Sequence, residues 1–176
     1  MTIRPEIYAL VEKAKEGSRE ALGQLAECYI ARLYGFFFRL TANRDISEEL
    51  VSELFLRLVK KIKYCESGSF EKWLFTVASN LFRDHLRKQY RTRKILEQKL
   101  RQEEEESIEQ KSEPEYSDRL QEALGRLDPE TAELIMMRFY GDMSFKELAE
   151  TKDEPIGTIL SRVHRGLKKV KEYMES

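Results

Sequence analysis

Apolar residues recur at the spacing of an α-helix along almost the whole chain, and this periodicity constrains the fold more than any other feature. The 176 residues include only eight glycines and four prolines. No segment shows a convincing alternation of apolar and polar residues, which would indicate a strand. Residues with helical spacing bury one side of a helix. The sequence therefore predicts an all-α fold whose cores are formed by packed helices.

The charge balance changes sign abruptly in the second half of the chain. Residues 83–101 contain eight basic and two acidic side chains, whereas residues 103–118 contain eight acidic and one basic. The acidic stretch EEEESIEQKSEPEY has few apolar residues, so it cannot bury enough surface to offset the entropy lost on ordering. We predict two small helical domains, residues 1–96 and 117–176, joined by a flexible acidic linker over residues 97–116.

Four helices are predicted in the N-terminal domain. The first covers residues 5–16 and ends at Gly17, and a longer helix follows from Ser18. The third is predicted to begin at Ser47, after the turn TANRD. Its apolar positions bury one side and leave an acidic edge outside, formed by Glu48, Glu49 and Glu53.

The fourth helix, SFEKWLFTVASNLFRDHLRKQYR, has two distinct sides. At roughly 100° per residue, ordinary core residues fall together on one side: Leu74, Ala78, Leu81, Phe82 and His85. The opposite side combines an aromatic ring, an amide and charged groups: Trp73, Asn80, Asp84, Arg87 and Arg91. A tryptophan packed beside a solvated polar face explains this stripe as well as a binding surface does, so other segments must decide.

A pair of closely spaced helices is predicted near the C-terminus. Ser144 and Glu147 form a capping box, and Pro155 suits the first position of the next helix, with Asp153 or Glu154 as its cap. This second helix directs polar and basic residues outward, namely Thr158, Ser161, Arg165, Lys168 and Lys169. Such a set suits the recognition helix of a helix-turn-helix, with lysines that neutralise phosphates. A plain helical hairpin whose last-turn cations complement the helix dipole remains an open alternative.

Composition excludes several classes of protein. Two histidines, two widely separated cysteines and no Gly-rich loop indicate no enzyme, no metal site and no cofactor. Cys28 and Cys65 are expected to be buried, inert thiols. The N-terminus lacks the apolar core of a signal peptide, and the cluster YGFFF is too short to span a membrane, so we expect a reduced, cytoplasmic protein.

Four segments, in this order and spacing, resemble the extracytoplasmic-function sigma factors of the sigma-70 family. They are RDISEELVSELFLRL, SFEKWLFTVASNLFRDHLRKQYR, LDPETAELIMMRFYGDMSFKELAE and PIGTILSRVHRGLKKV. The resemblance covers most of the chain. It implies that the N-terminal domain is sigma region two and the C-terminal domain is sigma region four. The implied function is to bind core RNA polymerase and direct it to promoters, without catalysis.

The resemblance also implies three sets of site residues. The segment that docks on polymerase contains Glu48, Glu49, Glu53 and Phe55. Region four reads the −35 element or contacts nearby phosphates through Thr158, Ser161, Arg162, His164, Arg165 and Lys168. Region two opens the −10 element, which requires pockets for a flipped base and cations along the separated strand. The candidates for this task are Phe70, Trp73, Asn80, Arg83, Arg87, Lys88 and Arg91.

The sequence departs from the family pattern at a few positions. Leu160 stands where a basic residue is common, AETKDEP replaces a turn that usually carries a buried apolar residue, and Ser52 replaces a common Gln. The first two imply weaker or altered −35 recognition. Family habit also implies an anti-sigma partner.

Two other functions compete with a sigma factor. An autonomous helix-turn-helix repressor or activator would leave the N-terminal segments unexplained. A net charge of −1, from 31 basic and 32 acidic residues, also suits tight binding of duplex DNA poorly. The remaining alternative is a helical, sigma-like adaptor that has lost promoter recognition.

Overall fold

The computed structural model describes residues 5–66, 69–100 and 118–175, except for the side chains of residues 97–100. Within these ranges the protein has eight α-helices, a short 3₁₀ turn at Ile62–Tyr64 and no strand, so the all-α prediction is confirmed. The N-terminal unit consists of α1 (Pro5–Lys15), α2 (Arg19–Thr41), α3 (Arg44–Lys61) and α4 (Phe70–Leu100). The C-terminal unit consists of α5 (Arg119–Gly125), α6 (Pro129–Phe139), α7 (Phe145–Lys152) and α8 (Ile156–Glu175).

The predicted linker overlaps the end of α4. Residues 97–100 continue the helical backbone of α4. The rest of the predicted linker, residues 101–116, lies outside the described residues.

Side-chain caps determine where the helices of the N-terminal unit begin. The Ser18 hydroxyl accepts a hydrogen bond from the Ala21 N–H at 3.2 Å, which starts α2 as predicted. The predicted start of α3 at Ser47 was wrong, because Asn43 accepts from the Ile46 N–H at 3.0 Å and begins the helix at Arg44. Ser47 is instead buried inside α3, where its hydroxyl donates to the Asn43 carbonyl.

The buried side of α4 supplies much of the N-terminal core. Leu74, Ala78, Leu81 and Phe82 are buried as predicted, whereas His85 is only half-buried. Phe75, which the sequence analysis did not select, is fully buried and packs edge-to-face on Phe36 with ring centroids 5.6 Å apart. Aromatic packing of this kind anchors α4 to α2.

The C-terminal unit is organised around α6, whose residues 131–137 are all buried. The predicted capping box of α7 is present, since the Glu147 N–H donates to Ser144 Oγ at 3.2 Å and the Ser144 N–H donates to Glu147 Oε2 at 2.8 Å. Asp153 was predicted as a possible cap of α8, but it has a different role. It ends α7 in the left-handed conformation, with a φ of 53°, and Glu154 pairs with Arg162 instead.

The two units share one continuous apolar core, which their charge patterns did not predict. Helix α2 packs on α5 and α6, and α4 also contacts α6. At Gly35 in α2 the contact is so close that an added Cβ atom would lie 2.5 Å from Cε1 of Tyr140. A glycine is therefore needed at this position for the two units to pack as they do.

We predict that Gly166→Ala destabilises the protein, because its Cβ would lie 2.5 Å from Thr131 Cγ2 and 2.9 Å from Ile135 Cδ1, in the core between α6 and α8. Overpacking costs about 1–3 kcal/mol, and two contacts this short place the cost above the gain of about 1 kcal/mol in helix propensity. Thermal unfolding followed by circular dichroism should show a lower midpoint. Gly157→Ala in the same helix is the matched control, since nothing lies within 4 Å of its Cβ position. Equal midpoints for the two variants would contradict this packing.

Candidate nucleic-acid interface

The polar stripe of α4 lies largely at the surface. Asn80, Arg87, Lys88 and Arg91 are exposed. A shallow groove runs beside the end of this stripe, lined by Asp84, Arg87, Lys88, Arg91, Thr92 and Ile95. This arrangement offers several cations along one helical face, which is what a nucleic-acid backbone requires.

Asp84 is neutralised by cations of the N-terminal unit. Its carboxylate lies 3.7 Å from Arg87 Nη1 and 3.7 Å from Arg57 Nη1 on α3. This exposed acid therefore shapes the stripe without making it acidic.

The two aromatic candidates differ in exposure. Phe70 is 1% exposed, and its ring packs on Tyr29 with centroids 5.5 Å apart, so it belongs to the core and offers no free face to a base. Trp73 is partly buried, with its ring centroid 6.1 Å from that of Phe70. Trp73 thus lies at the edge of the core, next to the polar stripe.

Arg83 belongs to a second row along α4, which contacts the C-terminal unit. This row consists of Lys72, Ser79 and Arg83, at intervals of seven and four residues. The ammonium of Lys72 lies 2.6 Å from Glu150 Oε2. Arg83 Nε donates to Glu133 Oε1 at 3.2 Å, and Ser79 Oγ donates to the same oxygen.

Glu133 is the most deeply buried acid of this contact, with only 2% of its side chain exposed. Its second oxygen, Oε2, accepts a hydrogen bond from Lys152 Nζ at 2.6 Å. Burial lowers the pKa of the Lys152 ammonium, while the adjacent Glu133 carboxylate opposes this shift.

The outer face of α8 presents most of the predicted −35 residues to solvent, namely Thr158, Ser161, His164, Arg165 and Lys168. Two of these side chains bond to their own helix, since Ser161 Oγ donates to the Thr158 carbonyl at 2.9 Å and Arg165 Nε donates to the Ser161 carbonyl at 3.2 Å. Leu160 on the same helix is 42% exposed. The face therefore combines short polar groups, cations and an apolar side chain.

Arg162 differs from its neighbours because it pairs with two acids outside its own helix. Its guanidinium makes two bonds to Glu154, at 3.1 and 3.0 Å, and lies 3.5 Å from Glu130. These contacts join the turn before α8 to α6. Glu154 belongs to the segment AETKDEP, so Arg162 neutralises one of its acids. Lys72 neutralises a second acid of this segment, Glu150.

The outward side of α3 carries an apolar pair that the sequence analysis missed. Leu56 is 64% exposed and Val59 is 55% exposed. Both lie outside the apolar face that the periodicity of α3 predicts to be buried. Two apolar residues outside that face could have indicated a binding surface from the sequence alone. Glu48 and Glu49 are exposed nearby along the helix, Glu53 pairs with Arg57 at 2.6 Å, and Phe55 is half-buried.

The remaining reactive groups bear on the predictions for metal ligands and thiols. No group of three or more His, Cys, Asp or Glu side chains is suited to hold a metal among them. Cys65 is buried, and burial raises the pKa of its thiol to about 11. Cys28 is exposed, so its predicted burial was wrong. No helix in these ranges has the length and apolar character needed to cross a membrane.

Two family models match the chain. The model for sigma-70 region 2 matches residues 25–92, which include α3 and the stripe of α4. The model for sigma-70 region 4 matches residues 117–170, which include α7 and most of α8.

The full-length relatives differ in how much of their own length is matched. RNA polymerase sigma factor CarQ of Myxococcus xanthus is 27% identical over 93% of this chain and 95% of its own length. ECF RNA polymerase sigma factor SigE of Mycolicibacterium smegmatis is 29% identical over 86% of this chain. The matched part spans 60% of the SigE chain.

Two solved structures have the same fold. CnrH, in complex with the cytosolic domain of CnrY, superposes with a TM-score of 0.70 at 20% identity and covers 97% of both chains. The sigma factor RpoE of Bartonella quintana, in complex with the anti-sigma factor NepR, superposes with a TM-score of 0.65 at 25% identity. That match covers 87% of this chain and 96% of RpoE.

Proposed function

Since the chain belongs to the sigma-70 family, as a member of its extracytoplasmic-function group, we propose that it binds core RNA polymerase and directs it to specific promoters. Members of this family are initiation factors, and the role requires no catalysis by this chain. It acts in the cytoplasm, where polymerase and chromosome are found.

The observation that carries this proposal is the presence of two separate outward faces suited to DNA on one chain. The stripe of α4 carries an exposed amide and cations, and the face of α8 carries exposed polar groups and cations. These faces lie within the segments matched by the models for regions two and four, respectively. An autonomous repressor would need only the second face.

In region two, Asn80 is the strongest candidate to hold a flipped base of the −10 element. Its amide can donate and accept hydrogen bonds at a base edge, and it is exposed. The partly exposed Trp73 offers a stacking surface on the same side of α4. Arg87, Lys88 and Arg91 continue along the helix as contacts to the strand backbone.

In region four, the exposed residues Ser161, His164 and Arg165 are the candidates for −35 readout. An arginine can bind guanine at two acceptors, and short hydroxyls adapt to several bases. Thr158 and Lys168 flank them as phosphate contacts. Arg162 would have to exchange its contacts with Glu154 and Glu130 for a phosphate.

The polymerase-binding surface combines the acidic edge of α3 with its apolar pair. Leu56 and Val59 are exposed, and burying them against a partner helix would be favourable. The RpoE neighbour is bound by an anti-sigma factor, and we assign a partner of this kind to the present chain as well. Such a partner would restrain the factor until a signal releases it.

Initiation reconstituted from purified components tests this function. The chain is mixed with core polymerase and DNA from upstream of its own gene, and we expect transcripts that start at one position and require both proteins. Stable, specific binding of that DNA without polymerase, and no initiation with it, would favour a repressor or activator.

We predict that Asn80→Ala lowers open-complex formation by about tenfold or more while the affinity for core polymerase persists, because a base edge left without its hydrogen-bond partner costs about 1–3 kcal/mol. Permanganate footprinting measures strand opening, and fluorescence anisotropy measures binding to polymerase. Gln24→Ala, an exposed polar change on α2, is the control. Equal loss of both activities in Asn80→Ala would contradict this role.

We predict that Leu56→Asp weakens binding to core polymerase by about tenfold or more, since apolar side chains at the centre of an interface carry much of its affinity. Because Leu56 is 64% exposed, the fold should tolerate this change. Ile30→Asp is the matched control, since Ile30 is 50% exposed on α2. Unchanged affinity of Leu56→Asp, or equal losses in both variants, would exclude this surface of α3.

A further inference from the structure

Three ion pairs between the two units have the same polarity. In each, the N-terminal unit supplies the cation and the C-terminal unit the carboxylate: Arg39 with Asp118 at 2.9 Å, Lys72 with Glu150 at 2.6 Å, and Arg83 with Glu133 at 3.2 Å. Arg32 of the N-terminal unit is also a cationic donor, because its Nε donates to the Tyr140 carbonyl of the C-terminal unit at 3.0 Å. The C-terminal unit therefore presents an anionic surface to a cationic one, as a nucleic-acid backbone would.

The centre of this contact has the chemistry of a phosphate site. Arg83 Nε and Ser79 Oγ converge on one oxygen of Glu133, and Arg83 Nη2 lies 3.2 Å from Ser79 Oγ. A guanidinium and a hydroxyl directed at one anionic oxygen also suit a phosphodiester. The second row that contains both residues runs beside the polar stripe, so a strand along α4 passes within reach of this site.

Glu133 can leave this site without losing all of its partners. Lys152, which lies in the C-terminal unit, binds Oε2 of Glu133 at 2.6 Å and would move with it. Its ammonium also donates to Ser79 Oγ at 3.3 Å, and opening would break that bond and free the hydroxyl. A buried carboxylate without a counter-ion would be costly, but this one keeps a cation of its own unit. Arg83 would be released as a free guanidinium, 37% of whose side chain is already exposed.

We propose that Ser79 and Arg83 form a binding site for a backbone phosphate of the separated promoter strand, and that Glu133 occupies this site in the closed protein and thereby inhibits strand binding. This inference rests on the proposed function, because it assigns Ser79 and Arg83 to the strand-binding face of region two. Opening of the contact between the units exchanges the Glu133 carboxylate for a phosphate.

The first test compares the full-length variants Glu133→Gln and Gly35→Leu with the natural chain. Glu133→Gln removes the inhibitory charge, whereas Gly35→Leu forces Tyr140 away without changing any charge. Small-angle X-ray scattering should show a larger radius of gyration for both variants. Both should also bind a labelled dT strand of about 12 nucleotides about tenfold more tightly, because the apparent affinity rises with the fraction of open protein.

Each opening variant has a matched control. Glu130→Gln removes the same charge from α6, at a side chain that is 77% exposed and lies 3.5 Å from Arg162 of its own unit. Gly23→Leu makes the same addition to α2 as Gly35→Leu, at a position with nothing within 4 Å of its Cβ. Both controls should keep the compact form and the weak strand affinity of the natural chain. Opening variants that behave like their controls would overturn the inhibitory contact.

The second test locates the phosphate. In the Gly35→Leu background, Arg83→Gln should reduce the slope of log affinity against log salt by about 0.7, the value for one phosphate on a single strand. An unchanged slope would overturn the phosphate site even if the protein opens. Because these measurements use the free chain, they are independent of the polymerase assay. A chain that fails to initiate with polymerase yet opens and binds strands as expected would refute the proposed function alone.

Discussion

The burial of one carboxylate, that of Glu133, constrains how the two units of this protein can pack. A charge removed from water must be matched by donors, and Glu133 finds them on both sides of the contact. Lys152 comes from its own unit, whereas Ser79 and Arg83 come from α4. Full satisfaction of this acid therefore requires the N-terminal unit to be in place, which couples the closed arrangement to hydrogen bonding as well as to apolar packing.

The same arrangement determines which functional surfaces are available. The outward stripe of α4, the outer face of α8 and the apolar pair of α3 all remain exposed while the units are packed together. The flank of α4 at Lys72, Ser79 and Arg83 instead contacts the C-terminal unit. A closed chain can thus present the proposed polymerase-binding surface while one part of the proposed strand-binding surface is blocked, so the proposal makes docking and strand capture separate steps.

Local interactions explain which predictions from sequence succeeded. The cap at Ser18, the capping box at Ser144 and the buried side of α4 each depend on residues within two helical turns, so spacing alone indicates them. The predicted start of α3 was wrong because Asn43 caps the helix four residues before Ser47. Cys28 was expected to be buried, but it lies on the exposed side of α2.

The sequence by itself determined that this chain is helical, that α4 has a core side and a polar side, and that its motifs resemble sigma regions two and four. The first two properties follow from residue spacing and local capping, and the third follows from the resemblance of four segments to a family pattern. Only the tertiary structure decided that Phe70 is a core residue and that Arg83 binds an acid of the other unit. Such contacts join residues far apart along the chain. Local residue spacing does not indicate which helix surfaces pack against each other.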